Sequence, residues 1–429
     1  MQNRKSRAPC LPADRKSRGN IYLDYASTTP TDPRVVAAMT PYWTKFFGNP
    51  SSLYKLGLKS KKAIDGSRIK IAKILSCQAD EIIFTGSGTE SINLAIKGIL
   101  SKKEKAHIIT SAIEHHAVLH VLEKEKNHDH QISVLPVDAE GLINIEDLKK
   151  AIKKNTVLVS IMLANNEIGV IQDIRAIGSL LEKTNRQRDK QDLPKIYLHT
   201  DACQASGALE LNVQKLHVDL MTINGSKIYG PKGVGALYIK NKTVIGALID
   251  GGGQEKNLRS GTENVPGIIG LATALELANK TRVKENKRLT KMRDWLIKEI
   301  LTKIPKTRLN GHTTKRLPNN INVSILDIEG EAMLLYLDEV GIQASTGSAC
   351  TSTTLEPSHV IRALGCPYEA AHGSMRFTLG KTTTMTDLKY LMKKLLKIVK
   401  HLRQASPVII NMEEVEKSIK NAPREIIEL

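Results

Sequence analysis

Between residues 60 and 240 the chain alternates stretches of helical composition with short apolar runs, at 81–84, 107–110, 157–162, 196–199, 220–223 and 235–239. Short continuous apolar runs between helices mark strands buried on both faces, the habit of parallel sheets. The expectation is an α/β fold, a mainly parallel sheet covered by helices on both sides. At 429 residues the chain exceeds what one hydrophobic core comfortably serves, so a second unit is expected. Residues 272–304 hold neither Gly nor Pro, and Leu289, Met292, Leu296, Ile300 and Ile304 recur at steps of three and four. That spacing predicts a long amphipathic helix leading into the second unit.

The second unit is expected to be a smaller α+β domain holding strands at 321–325 and 374–379, a helix from Glu331, a loop around Cys350 and a final helix to about Leu402. Divided this way, the chain reads as a basic arm without order (1–20), a small domain (21–34 with 276–405), a large domain (35–275) and a charged tail (406–429) with no assignable role. The arm carries Arg4, Lys5, Arg7, Arg15, Lys16 and Arg18, but neither the apolar core of a secretory signal nor an evident amphipathic targeting helix.

Charge and cysteine content exclude several classes of function. No stretch reaches the roughly 18 to 20 consecutive apolar residues of a membrane span. The five cysteines, Cys10, Cys77, Cys203, Cys350 and Cys366, are scattered and lack C-x-x-C spacing, which argues for a reducing compartment such as the cytoplasm and against a disulfide frame or structural zinc. The formal charge of +19 is spread over many lysines interleaved with apolar residues at helical spacing, the pattern of solvated helix faces. With four Phe and two Trp, platforms for stacking single-stranded bases are scarce, so direct nucleic-acid binding is not expected.

Four segments carry chemistry. Lys227 directly follows the 220–223 run and precedes a glycine-rich turn, which places it beyond a strand's carboxyl end, where sheet ligands bind. A lysine in a closed apolar cleft loses its charge easily and can bond covalently to a carbonyl cofactor; a lysine picked at random is solvated. Asp201 ends another apolar run, where a carboxylate needs a cationic partner such as a pyridinium nitrogen, unless it only caps the next helix. Residues 85–90, Thr-Gly-Ser-Gly-Thr-Glu, open a helix after a strand and offer free N–H groups and hydroxyls to a phosphate. Cys350 lies among Gly347, Ser348, Ala349, Thr351 and Ser352, small neighbours that leave a thiol accessible whether it is a nucleophile or an incidental loop residue.

Taken in order, these segments resemble those of the cysteine desulfurases of the NifS/IscS kind, within the fold-type I pyridoxal 5′-phosphate enzymes. The likeness runs from about Ile21 to Pro407 and includes Tyr22-Leu23-Asp24-Tyr25, Asn49-Pro50-Ser51-Ser52, Glu114-His115, Asn165-Asn166-Glu167, Arg259-Ser260-Gly261-Thr262, Leu355-Glu356-Pro357-Ser358 and Ser374-Met375-Arg376-Phe377. It implies a large domain with a mainly parallel seven-stranded sheet, a smaller α+β C-terminal domain and pyridoxal 5′-phosphate as cofactor. Lys227 would carry the cofactor and shuttle the substrate α-proton, Asp201 would pair with its ring nitrogen, Gln204 would bond its ring oxygen, and His115 would stack on it and handle protons. Gly88, Thr89, Asn224 and Ser226, with Thr262 from the second subunit of a homodimer, would hold the phosphate. Arg376 and Asn166 would grip the carboxylate of L-cysteine, and Cys350 would receive its sulfur as a persulfide. The acceptor implied is an iron–sulfur scaffold or another persulfide acceptor, with tRNA thiolation as a second outlet. The histidines at 115, 116, 120, 128 and 130 lack a convincing ligand set, so no metal is expected.

Three positions depart from the pattern: Asn224-Gly225-Ser226 stands where Ser-x-His usually precedes the lysine, Tyr54 where His is frequent, and Cys203 where Thr or Ala is usual. A class-V aminotransferase or a selenocysteine lyase would share Lys227 and Asp201, but a transaminase has no need of the Cys350 loop. A basic nucleic-acid-binding protein would leave the buried acid and lysine unexplained.

Overall fold

The computed structural model describes residues 20–101, 103–347, 356–407 and 409–429. Residues 1–19 of the expected arm and Cys350 itself lie outside them. The larger sheet has eight strands in the order Ile427–Glu428, Gln131–Leu135, His107–Ser111, Thr156–Ser160, Tyr197–Asp201, Leu220–Asn224, Gly235–Ile239 and Ile82–Thr85. The five from Gln131–Leu135 to Leu220–Asn224 run parallel. Their side chains alternate between two cores: Ile109, Val159, Leu198 and Met221 face one, and Ile108, Leu158 and Leu220 face the other.

Three features differ from the expectation. Gly235–Ile239 runs antiparallel to both its neighbours, so three of the apolar runs meet in two antiparallel pairs; burial on both faces selects for apolar side chains whatever the strand direction. The strand Gln131–Leu135 escaped detection because Gln131 and Ser133 interrupt its apolar pattern. The tail is not a plain charged extension. Its helix Met412–Asn421 buries Val415 and Ile419 against Val360, Ile361 and Leu364, and Ile427–Glu428 then pairs antiparallel with Gln131–Leu135 as the eighth strand.

The helix Val265–Lys303 joins the cores. Its first half buries Ile268, Leu271 and Leu275 in the large-sheet core, and its second half buries Leu289, Met292, Leu296 and Ile300 beside Ile321, Val323 and Phe377. The latter belong to an antiparallel sheet of Ser374–Thr378, Asn320–Ile325 and Thr307–Leu309. Near the amino end, Ile21–Tyr22 pairs in parallel with Ile342–Gln343, which brings Asp24 to the Ser374–Thr378 strand. The carboxyl ends of the parallel strands thus face Arg376 across one cleft.

Candidate active site

The cleft has a volume of about 360 Å³ and is lined by Gly88, Thr89, His115, Asn166, Asp201, Gln204, Asn224, Ser226, Lys227 and Arg376, together with Cys203, Glu167 and His359. Every expected cofactor or substrate contact lines it except Thr262, which is exposed away from this wall. Gly347 also lines the cleft, as does His359, which stands four residues beyond the segment 348–355.

Strand register places the charged groups. Asp201 and Asn224 are the last residues of adjacent parallel strands, and Asp201 pairs with Thr222 in register. Asp201 is buried, and its Oδ1 accepts the Cys203 N–H at 2.8 Å. Lys227 follows in a tight turn closed by the Gly230 N–H to the Gly225 carbonyl at 3.0 Å. A Cβ on Gly225 would lie 2.6 Å from the Pro231 carbonyl oxygen, so only glycine fits there. The Lys227 ammonium donates to the Ser27 carbonyl. Gln204 Nε2 donates to the Ala26 carbonyl at 2.8 Å, which fixes its amide at the cleft wall.

His115 caps the helix His116–Lys126, its Nδ1 accepting the Ala117 N–H at 3.1 Å. The neutral ring therefore carries its proton on Nε2. Burial holds its pKa below the ordinary value, and Asp201 opposes that shift. Beneath it, Glu114 is fully buried: Oε1 accepts from Ser111 Oγ at 2.7 Å and from the Met162 N–H at 2.9 Å. Burial pushes this carboxyl up to about 8. His116 packs between His120 and His359, tilted to both rings, with centroids 4.7 and 4.6 Å away. Among the described residues no group of three or more His, Cys, Asp or Glu could hold a metal ion.

The helix Gly88–Leu100 opens onto the cleft with Ser87 as its cap, Ser87 Oγ accepting the Glu90 N–H at 3.1 Å. The N–H groups of its first turn have no partner within the helix and suit an anion. A Cβ on Gly88 would stand 2.8 Å from Cys203 Sγ and 3.2 Å from Asn224 Nδ2, so the cup is narrow and needs glycine. Asn224 Oδ1 is buried without a hydrogen-bond partner. An anion cup, an acid at a strand end and a lysine in the adjoining turn together fit pyridoxal 5′-phosphate.

Arg376 is 2% exposed at the opposite wall. Its Nη2 donates to Asp24 Oδ1 at 2.8 Å and Ser27 Oγ at 2.9 Å, and its Nη1 donates to the Asn166 carbonyl at 3.0 Å. Nε is buried with no partner, so donor capacity remains for an incoming carboxylate. Glu167 lies buried nearby, pushed up to about 7 by burial, with Ser358 Oγ donating to it and the Arg376 charge opposing the shift. Sequence reading did not assign Asp24, Ser27, Glu114 or Glu167 to the site. Glu114 and Glu167 carried one usable signal, an acid inside a segment otherwise committed to the core.

The fold and this cleft define a class of protein, and comparison with known proteins agrees. The family model for aminotransferase class-V matches residues 21–391, and the chain belongs to that family. Its relatives there include the cysteine desulfurase IscS of Dictyoglomus turgidum, 51% identical over 393 residues, covering 90% of this chain and 96% of the relative. The cysteine desulfurase IscS of Methanosarcina thermophila is 49% identical over 390 residues, covering 90% and 94%. Among solved structures, a NifS-like protein from Rickettsia africae superposes with a TM-score of 0.79 at 32% identity, covering 89% of this chain and 99% of that one.

Proposed function

We propose that this chain is a pyridoxal-phosphate-dependent cysteine desulfurase, which moves the sulfur of L-cysteine onto Cys350 and releases L-alanine. One observation carries the reading: Lys227, Asp201, His115 and Arg376 converge on a single cleft that Gly347, three residues before Cys350, also lines.

Bound there, the cofactor supplies an electron sink for the substrate's α-carbon. Lys227 would hold it and would take up the substrate's α-proton on Nζ. Asp201 would pair with the ring nitrogen, Gln204 would bond the ring oxygen, and His115, its neutral ring protonated on Nε2, would lie against the ring. Gly88, Thr89, Asn224 and Ser226 hold the phosphate, joined by Thr262 of a second subunit. Arg376 and Asn166 grip the substrate carboxylate, and Asp24 and Ser27 fix the guanidinium that does so. The Cys350 thiolate attacks the substrate sulfur: an S–S bond forms, the Cβ–S bond breaks, and its electron pair stays with the carbon fragment. The proton lost by the Cys350 thiol balances the one gained at Cβ, leaving alanine and a persulfide.

Supporting a homodimer, Trp43, Phe47, Leu53 and Tyr54 expose large apolar surface within a dozen residues, more than scattered surface apolars require. The persulfide goes to an iron–sulfur scaffold, with a tRNA-thiolation enzyme as a further acceptor, in the cytoplasm, whose reducing state keeps free thiols. No helix among the described residues is long and apolar enough to cross a membrane.

Purified protein should absorb visible light and change spectrum on addition of L-cysteine, while Lys227→Ala should lose the absorbance of the lysine-bound cofactor and at least about 10³-fold of alanine formation. A colourless wild-type protein, or a Lys227→Ala variant of unchanged spectrum, would overturn the assignment.

A further inference from the structure

The helix Met385–Ala405 buries Leu388, Leu391, Met392, Leu395, Ile398 and Val399, and turns Lys389, Lys393, Lys397 and Lys400 outward at steps of four and three. These four lysines form a single stripe about 16 Å long, three helical turns. None of them takes part in an ion pair among the described residues. The helix has one acid, Asp387, and its carboxylate caps the Thr384 end of the helix. Like charges one turn apart destabilise a helix, so the stripe is a cost that local structure does not offset.

Leu396 lies on the same outward face and is 36% exposed. With Ile304, Pro305 and Val399 it lines a groove of about 380 Å³, and Lys303 and Lys400 stand among the same lining residues. Lys303 already pairs with Glu299 at 2.6 Å and the Arg403 guanidinium donates to the Leu326 and Pro305 carbonyls, so of the three cations lining the groove Lys400, at the end of the stripe, is the one without a partner among the described residues. An apolar groove beside a row of unpaired cations favours one kind of ligand. Phosphodiester backbones gain from the lysines but have nothing to place on an aliphatic floor. A helix with acids at matching intervals and aliphatic side chains beside them would satisfy both.

We infer that the groove beside Leu396 and the lysine stripe of Met385–Ala405 form a docking surface for an acidic amphipathic helix of a partner protein. The surface takes no residue from the catalytic cleft, so it stands or falls independently of the proposed chemistry. The net charge of +19 would steer such a partner from a distance and make its association salt-dependent.

The test uses the full chain loaded with cofactor. The probe is a fluorescein-labelled synthetic helix carrying Glu at i, i+4, i+8 and i+11 with Leu on the adjoining positions, and the control is a scrambled peptide of the same composition. Fluorescence anisotropy should show saturable binding at least about tenfold tighter for the patterned peptide than for the scramble, weakening as salt rises. Lys393→Glu with Lys397→Glu and Lys400→Glu should weaken it at least about tenfold, and a peptide carrying Lys in place of Glu should regain binding to that variant. Leu396→Asp should weaken binding while leaving the visible absorbance and alanine production intact. Equal affinity for patterned and scrambled peptides overturns the inference. So does unchanged binding in the triple variant, or a single-stranded RNA of equal charge that displaces the patterned peptide and is insensitive to Leu396→Asp.

Discussion

At one end of the cleft Asp201, Asn224 and Lys227 stand at or just beyond the carboxyl ends of neighbouring parallel strands, where backbone register alone sets their spacing. At the other, Arg376 projects from the antiparallel sheet and is aimed by Asp24 and Ser27, some 350 residues distant in sequence. Each end also rests on a buried carboxyl, Glu114 under His115 and Glu167 beside Arg376, both held above the usual carboxylate range by burial. The cofactor end is therefore spaced by sheet geometry, with the backbone setting where its side chains stand. The carboxylate end depends on tertiary hydrogen bonds that must all form together.

That contrast can be broken first at Arg376. Arg376→Lys keeps the charge but loses the planar fork and its bonds to Asp24, Ser27 and the Asn166 carbonyl. A loss of about 2 kcal/mol in charge-assisted hydrogen bonding corresponds to a fall of about 30-fold in kcat/KM, expected mainly as a higher KM for L-cysteine. The cofactor absorbance should stay. If cofactor is lost along with substrate affinity, the two ends are not separable.

A smaller effect is expected at the cofactor end. Asn224→Ala removes one neutral donor from the cup, worth about 1 kcal/mol or about fivefold in cofactor retention during dialysis. Ser226→His should hold cofactor as tightly or more tightly, because an imidazolium adds a charge-assisted bond to phosphate. Retention unchanged in both variants would remove this strand end from the phosphate site.

A last effect, on stability and not on turnover, concerns the buried carboxyls. Glu114 in the folded chain keeps its proton up to about pH 8, whereas in the unfolded chain it releases it near its ordinary value of 4.5. The folded state thus binds more protons across that window, and stability falls as pH rises through it. Glu114→Gln retains an oxygen to accept from Ser111 and the Met162 N–H, so its melting temperature should decline less than wild type between about pH 5 and pH 8. Glu167→Gln should flatten the curve only up to about pH 7. Identical pH slopes in all three proteins would mean that neither carboxyl is protonated in the fold.

The same division governs what could be read from sequence. Six of the large-sheet strands announced themselves as apolar runs, and Asp201 and Lys227 could be placed because each comes within four residues of the end of such a run. The strand Gln131–Leu135 was hidden by its polar positions, where Ser133 bonds both His107 and Glu428. Contacts that join distant segments left no local trace: nothing near Arg376 indicates that Asp24 would hold it, and nothing in the acidic and basic tail indicates a strand on the sheet edge. Asn224 and Ser226 both line the cleft, but the strand ends at Asn224 and Ser226 lies in the turn that follows, so the two-residue repeat of an extended chain does not account for their shared side.

Cys350 is the proposed carrier of sulfur, and the most direct test of that role is a single turnover of L-cysteine followed by peptide mapping. Wild-type protein should yield alanine in an amount equal to its active sites, with one added sulfur atom on the peptide that contains Cys350. Cys350→Ser should still change its visible spectrum with L-cysteine but form no alanine and gain no sulfur. Alanine released by Cys350→Ser at the wild-type rate, or the added sulfur found on Cys203 or Cys366 instead, would contradict the account.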